Sequence, residues 1–333
     1  MHTRTKINIT GGNPVVMKPS DYCNAVSSTI AKLVPKYFDK GAMQIVQGGI
    51  PETTELLKYH WGMIHFTGSE TVGKIIQQSA AKTLSPTILE LGGKSPTIVA
   101  EDCPDDMAVV CNRIIQGKLM NVGQVCVSPD YILCHESKLS SFLENAIAAI
   151  ERQYTKNQKD SELGRIIHKT HAERLVNIIE EVERMDSSSV VYGGSNACSV
   201  SEKYVAPTIM VNPPESCRVL NEEIFGPIMP IVTYCDDEDA IAISRKKYGT
   251  PLALYVFTKS NLRYEKFMAR LPSGMAMRND VCLHILIPDF PFNGLGTSGM
   301  GKYTGKASFD SFSHDKASQY HPCHAAFEFC GMR

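Results

Sequence analysis

Short apolar runs alternate with amphipathic stretches over the first hundred residues. Residues 14–18 (PVVMK) read as a buried strand. Residues 21–38 read as a helix, with Ala25, Ile30, Leu33 and Val34 on one face and Ser20 or Asp21 as its cap. Strands are predicted at 43–46, 63–66, 87–91 and 97–100. Helices are predicted at 51–59, where Pro51 suits a first turn, and at 70–83. Strand–helix alternation with short connections implies parallel pairing and right-handed crossovers. The expected fold class is α/β, a doubly wound parallel sheet of the kind that binds nucleotides at the carboxyl ends of its strands.

Beyond Asp102 the pattern continues with longer helices. These are predicted at 107–120, 138–152, 170–185, 239–247 and 261–271, and strands at 131–134, 190–192, 206–210, 228–232 and 252–257. Leu175, Ile178, Ile179 and Val182 form an apolar stripe along one of the helices. A second α/β layer is expected, and no internal repeat is visible.

The composition narrows the function. With 43% hydrophobic residues the chain has ample material for a core, which excludes general disorder. Lys and Arg number 34 against 35 Asp and Glu, so no basic footprint for nucleic acid or an acidic membrane is present. A small molecule is the expected partner. The 11 cysteines are odd in number and lack framework spacing, which fits a reduced intracellular chain. Cys323 and Cys330 near His321 and His324 lack a second ligand cluster, so no metal is expected. There is no apolar run of signal-peptide or membrane-spanning type, and a cytoplasmic location is the default expectation.

Three segments could carry chemistry. Cys126 follows a glycine-containing turn at the end of a helix, where a thiol can face a cleft; cysteine is equally a common buried residue. Glu90 lies between two leucines at a strand end before Gly92-Gly93. It is either a solvent-facing edge residue or a general base. The stretch FTGSETVG at 66–73 is a strand, a tight turn and a helix start, which suits either a plain cap or an anion such as pyrophosphate.

Taken together, these segments resemble the aldehyde dehydrogenase superfamily. The resemblance rests on VVMKPSD at 15–21, FTGSETVG at 66–73, LELGGKSP at 89–96, NVGQVC at 121–126, EEIFGP at 222–227 and PFNGLGTSGMGKYTGKASFDSFSH at 291–314. Order and spacing match over roughly 11–316. The last segment, with DYILC at 130–134 and LALYVF at 252–257, looks most like class 3 and fatty aldehyde dehydrogenases.

The resemblance implies that Cys126 is the nucleophile and that Glu90 activates the water that hydrolyses a thioester. An aldehyde is thereby oxidised to a carboxylic acid with NAD, NADP being possible. It places Lys18 and Asp21 at the adenine ribose, Gly68 and Ser69 near the pyrophosphate, and Glu223 and Phe225 at the nicotinamide end. A carboxylate at position 21 accepts from a 2′-hydroxyl and repels a 2′-phosphate, which favours NAD. The implied division is a partial cofactor-binding domain over 1–101, a catalytic domain over 102–290, and a return segment with a divergent tail over 291–333. A homodimer is the family's assembly.

Three departures from the family pattern set further expectations. The chain starts just before VVMKPS, without the PWNYP-like motif whose asparagine donates to the oxyanion. Loss of one such donor lowers a rate by about 10²–10³. This raises the alternative of an impaired or inactive truncated fragment that at most binds partners, with dimerisation weakened. Asn293 stands where the family has glycine, so strain is expected there. The tail from His321 leaves the pattern and lacks the apolar anchor of fatty aldehyde dehydrogenases.

Overall fold

The computed structural model describes residues 11–246 and 249–320 of the 333. The tail residues His321, Cys323, His324 and Cys330, and position 247 at the end of a predicted helix, lie outside the described residues.

Strand β1 (Val15–Met17) pairs in parallel with β2 (Met43–Ile45) across helix α1 (Asn24–Tyr37). The predicted 21–38 helix is divided: Asp21–Cys23 form a 3₁₀ turn capped by Ser20, whose hydroxyl accepts from the Tyr22 N–H at 3.3 Å. Helix α2 (Ile50–Leu56) opens with Pro51, and the Glu52 carboxylate accepts from the Gly49 N–H at 2.8 Å. Strands β3 (Ile64–Thr67) and β4 (Thr87–Glu90) pair in parallel across α3 (Glu70–Ala81), which Ser69 caps. Gly73 lets α3 lie close on the sheet, because a Cβ there would stand 2.6 Å from Leu91. Ile76, Leu89 and Leu91 form a small core between them.

The rest of the chain builds one larger layer. It begins with β5 (Pro96–Val99), α4 (Met107–Leu119), β6 (Tyr131–His135), α5 (Leu139–Tyr154), α6 (Lys169–Met185) and β7 (Val190–Tyr192). It continues with β8 (Thr208–Val211), α7 (Arg218–Asn221), β9 (Ile228–Tyr234), α8 (Asp237–Lys246), β10 (Ala253–Phe257), α9 (Asn261–Arg270) and β11 (Met275–Arg278). The short strands β12 (Phe292–Asn293), β13 (Gly299–Met300) and β14 (Lys302–Tyr303) and helix α10 (Gly305–Ser311) close the described chain. The sheet runs β11-β10-β5-β6-β9-β8-β7, parallel throughout except at the β7 edge.

Both faces of this sheet are covered, which explains why its central strands read as unbroken apolar runs. Ile132, Cys134, Tyr255 and Phe257 point into a core with α4, α5 and α6. Their neighbours Tyr131, Leu133, Leu254 and Val256 point the other way, onto α8 and α9 through Ile241 and Phe267.

Two strand expectations are corrected. The first hundred residues do not share one sheet: β1–β2 and β3–β4 are separate, and β4 takes β13 as an antiparallel neighbour. The predicted 97–100 strand, β5, leaves both for the larger sheet. All four of its residues are buried, and only a central position there covers both of its faces. The strain expected at Asn293 is also corrected. Asn293 lies in β12 opposite Lys302 and is not among the residues with positive φ. No helix among the described residues is long and apolar enough to cross a membrane.

The β4–β13 junction leaves no room for a side chain at Gly299, which has φ +133° and would place a Cβ 1.9 Å from the Leu89 carbonyl oxygen. Gly299→Ala is therefore expected to destabilise the fold by about 1–3 kcal/mol, read as a lower denaturant midpoint. An unchanged midpoint would show that β13 does not close β4.

Candidate active site

The nucleophile candidate sits in a strained loop. Asn121, Val122 and Gly123 have φ of 50°, 57° and 75°, a left-handed run that β-branched Val122 adopts only under constraint. The constraints are specific. The Gln124 amide donates to the carbonyls of Asn121 (3.0 Å) and Arg165 (3.1 Å), and its oxygen accepts from the Ile167 N–H at 2.8 Å. Gly123 packs on the Gly226 carbonyl, which a Cβ would approach to 2.3 Å. The Ser128 N–H donates to the Val125 carbonyl at 2.9 Å, closing a turn around Cys126, which is half-buried.

Glu90 ends β4, paired with Thr67 on one side and Gly299 on the other, and is only 1% exposed. Its carbonyl accepts from the Gly68 N–H at 3.1 Å, so the turn before α3 adjoins the end of this strand. Ser69 uses its hydroxyl as the cap, accepting from the Val72 N–H at 3.4 Å.

Glu223 approaches Gly92 so closely that a Cβ there would stand 2.2 Å from its carboxylate. Burial, and then the charge of Asp130, raise its pKa to about 7, against the pull of the Gly93 N–H, Lys94 and Arg174. Phe225, two residues on, is 41% exposed and has φ +50°. Lys18 donates to the carbonyls of Gly48 (2.9 Å) and Pro19 (3.1 Å), and the Asp21 carboxylate faces Gly49. These two gather at the turn after β2. The next residue, Tyr22, meets His168 at 5.1 Å between ring centroids.

The pattern of residues did not single out what joins these pieces. Lys94 and Asp130 form a buried ion pair, their side chains 3% and 5% exposed. The Lys94 ammonium also donates to the carbonyls of Val219 and Glu222, both at 2.9 Å. The other Asp130 oxygen accepts from the Ile224 N–H at 2.8 Å. From α6, Arg174 donates to the Ile224 carbonyl at 2.6 Å. The loop at 222–226 is thereby pinned against Gly92 and Gly123, which brings the segments of Glu90, Cys126 and Glu223 together. Lys118, also missed, is 1% exposed on α4, and burial pushes its pKa down to about 8. A lysine inside an otherwise apolar helix face was the one available signal. Among the described residues, no cluster of three or more His, Cys, Asp or Glu could hold a metal, and no disulfide joins the cysteines.

The scaffold is α/β, with a cysteine turn, a buried strand-end glutamate and glycine-lined contacts, and comparison with known proteins gives the family. Residues 3–318 match the aldehyde dehydrogenase family, and the chain belongs to it. It is 44% identical over 310 residues to the dimeric NADP-preferring aldehyde dehydrogenase of Mus musculus, covering 93% of this chain and 66% of that protein. Aldehyde dehydrogenase family 3 member A2 of Pongo abelii is 40% identical over 309 residues, covering 92% of this chain and 61% of the relative. A substrate-bound AldH structure from Staphylococcus aureus superposes with a TM-score of 0.87 at 35% identity, covering 95% of this chain and 69% of that one. The chain thus spans about two thirds of the length of the curated relatives it matches.

Removing Lys94 leaves Asp130 charged and buried. Lys94→Met is expected to destabilise the fold by about 3–5 kcal/mol, measured by chemical denaturation. The double variant with Asp130→Asn is expected to be less damaged than the two single changes summed; strict additivity would show the pair is not coupled.

Glu223 supplies a pH test. Its folded pKa of about 7 lies above the ordinary 4.5, so between those values the folded chain holds a proton that the unfolded chain has released. Its contribution to stability is full below the lower value and is lost as pH rises through the upper one. Glu223→Gln is expected to flatten that fall, on the order of 1–3 kcal/mol, in denaturation midpoints measured at mildly acidic and mildly alkaline pH. Identical slopes in both proteins would contradict the assignment.

Proposed function

We propose that the chain oxidises an aldehyde to a carboxylic acid with NAD or NADP, using Cys126 as nucleophile and Glu90 as general base. The observation that supports this most is the convergence of the Cys126 turn, the Glu90 strand end and the Glu223 loop on the Lys94–Asp130 pair.

The residues present fit a dinucleotide. Lys18 uses two donors on Gly48 and Pro19 and keeps a third for a ribose hydroxyl, beside the Asp21 acceptor at Gly49. Glu223 offers a carboxylate for the second ribose, with Phe225 beside it, and Gly68-Ser69 open α3 for the phosphates. A bound nicotinamide would supply a hydride acceptor for the substrate carbon. The chain's own residues do the rest. The Cys126 thiolate bonds to the aldehyde carbon and places negative charge on its oxygen, to which the Cys126 backbone N–H donates. After oxidation the carbon is a thioester. Glu90 takes a proton from water, the hydroxyl bonds to the carbonyl carbon, and the carbon–sulfur bond breaks to return the thiolate. The NADP preference named for the Mus musculus relative supports either nucleotide, while Asp21 opposes a 2′-phosphate by charge. Self-association as a dimer belongs to the same reading, supported by that relative's description.

The purified protein is expected to generate reduced nicotinamide from a medium- or long-chain aldehyde, followed by absorbance. Cys126→Ala should abolish turnover, and Glu90→Gln should retain a first-turnover burst while slowing the steady state. Wild-type turnover no faster than that of the alanine variant would sink the proposal.

A further inference from the structure

Tyr255 stands in the middle of β10, between Thr97 of β5 and Met277 of β11, and is wholly buried. Its neighbours in the strand, Ala253, Leu254, Val256 and Phe257, are apolar. A phenol hydroxyl in such surroundings is unfavourable unless it is hydrogen-bonded. Here it donates to the Val127 carbonyl at 2.6 Å. The same carbonyl accepts from the Cys282 thiol at 3.4 Å.

The covalent order of the chain decides what this bond acts on. The Val127 carbonyl shares a peptide unit with the Ser128 N–H, which donates to the Val125 carbonyl at 2.9 Å. The Val125 carbonyl in turn shares a peptide unit with the Cys126 N–H. A peptide that accepts a hydrogen bond at its oxygen becomes a better donor at its nitrogen, by about 10–30% per bond. Val127 and Ser128 are both buried, so water competes little for these groups. Strand β10 is paired on both sides, which gives the hydroxyl a fixed position from which to hold the turn.

We propose that Tyr255 is a positioning residue that leads a relay of two peptide units, from its hydroxyl through Val127–Ser128 to Val125–Cys126, and so orients and strengthens the Cys126 N–H as a donor to the oxyanion. This rests on the reading of Cys126 as the nucleophile. The consequence is selective. A reaction that builds negative charge on a carbonyl oxygen uses that N–H, and a displacement by the same thiolate at a saturated carbon does not.

The test sets one Cys126 reaction of each kind side by side and needs no nicotinamide. With 4-nitrophenyl acetate the thiolate bonds to the ester carbonyl carbon, charge collects on its oxygen, and nitrophenolate leaves with the electron pair. Its rate is the absorbance change that Cys126→Ala lacks. With iodoacetamide the thiolate displaces iodide, followed on the Cys126 peptide by mass spectrometry. Tyr255→Phe keeps the ring and removes the hydroxyl. It is expected to lower the ratio of acylation to alkylation by about two- to tenfold. A turn that is merely loosened slows both reactions and leaves the ratio where it was. An unchanged ratio in Tyr255→Phe overturns the proposal. Where that variant does not fold, Cys282→Ala decides in the same way: it removes the second donor to the Val127 carbonyl, a lowered ratio supports the relay and an unchanged one overturns it. Wild-type nitrophenolate release no faster than that of Cys126→Ala overturns the nucleophile reading and the relay with it. Wild-type release with an unchanged variant ratio overturns the relay alone.

Discussion

The site depends on one buried ion pair. Lys94 follows the glycine pair after β4, and Asp130 directly precedes β6, so the pair joins the exit of the smaller sheet to the centre of the larger one. Two charges out of water are tolerable only when their remaining hydrogen-bonding capacity is met. Here it is met by backbone: the carbonyls of Val219 and Glu222 and the N–H of Ile224. All three belong to the segment that carries Glu223. The electrostatic demand of the pair therefore shapes a loop with little regular structure of its own, in a way an apolar contact would not.

That loop carries the electrostatic consequence. With Asp130 close by and water largely excluded, the Glu223 carboxylate is disfavoured in its charged form, while Lys94 and Arg174 restrain the shift. Lys118 feels the opposite balance: burial and the Lys94 charge push its pKa down, while Asp130 and Glu223 pull it up. Two groups in one cluster are thereby brought near neutrality from opposite sides. A donor presented to Glu223, such as a ribose hydroxyl, favours the charged carboxylate and relieves this tension. On the proposed reading, ligand binding and the internal charge balance act on the same group.

Much of this fold was legible in the sequence, because the strands of the larger sheet are covered on both faces and therefore read as apolar runs such as YILC and LALYVF. The amphipathic helix around Leu175 and Val182 was equally plain. What escaped was decided by tertiary partners. Strand β11 (MAMR) has no β-branched residue, and β12, β13 and β14 are two residues each; their pairing comes from neighbours, not from periodicity. The allocation of β5 to the larger sheet follows from burial on both faces, which no local pattern distinguishes. Cys126, Glu90 and Glu223 were legible as motif positions. Lys94 and Asp130 were not legible as a pair, since 36 residues separate them and neither has a local signal for the other. His284 likewise gives no sign in the sequence that both of its nitrogens are buried without hydrogen-bond partners among the described residues.

The placement of Cys126 shows how far a local feature can depend on distant ones. Three consecutive left-handed residues before it represent strain on the order of 1–3 kcal/mol for each non-glycine position, which the helix end alone cannot sustain. On one side Gln124 is held by residues 165 and 167 and Gly123 by Gly226. On the other, the Val127 carbonyl accepts from the Tyr255 hydroxyl at 2.6 Å and the Cys282 thiol at 3.4 Å. Both groups are protonated near neutral pH and so can donate, and burial raises their pKa values further, Cys282 to about 11 and Tyr255 well above its ordinary value. The residues on either side of Cys126 are thus fixed by β10, the 280s turn, the loop before α6 and the Glu223 loop. A turn supported from four directions leaves Cys126 half-buried rather than sunk in the core, and that separation of support from exposure is what the proposed nucleophile requires.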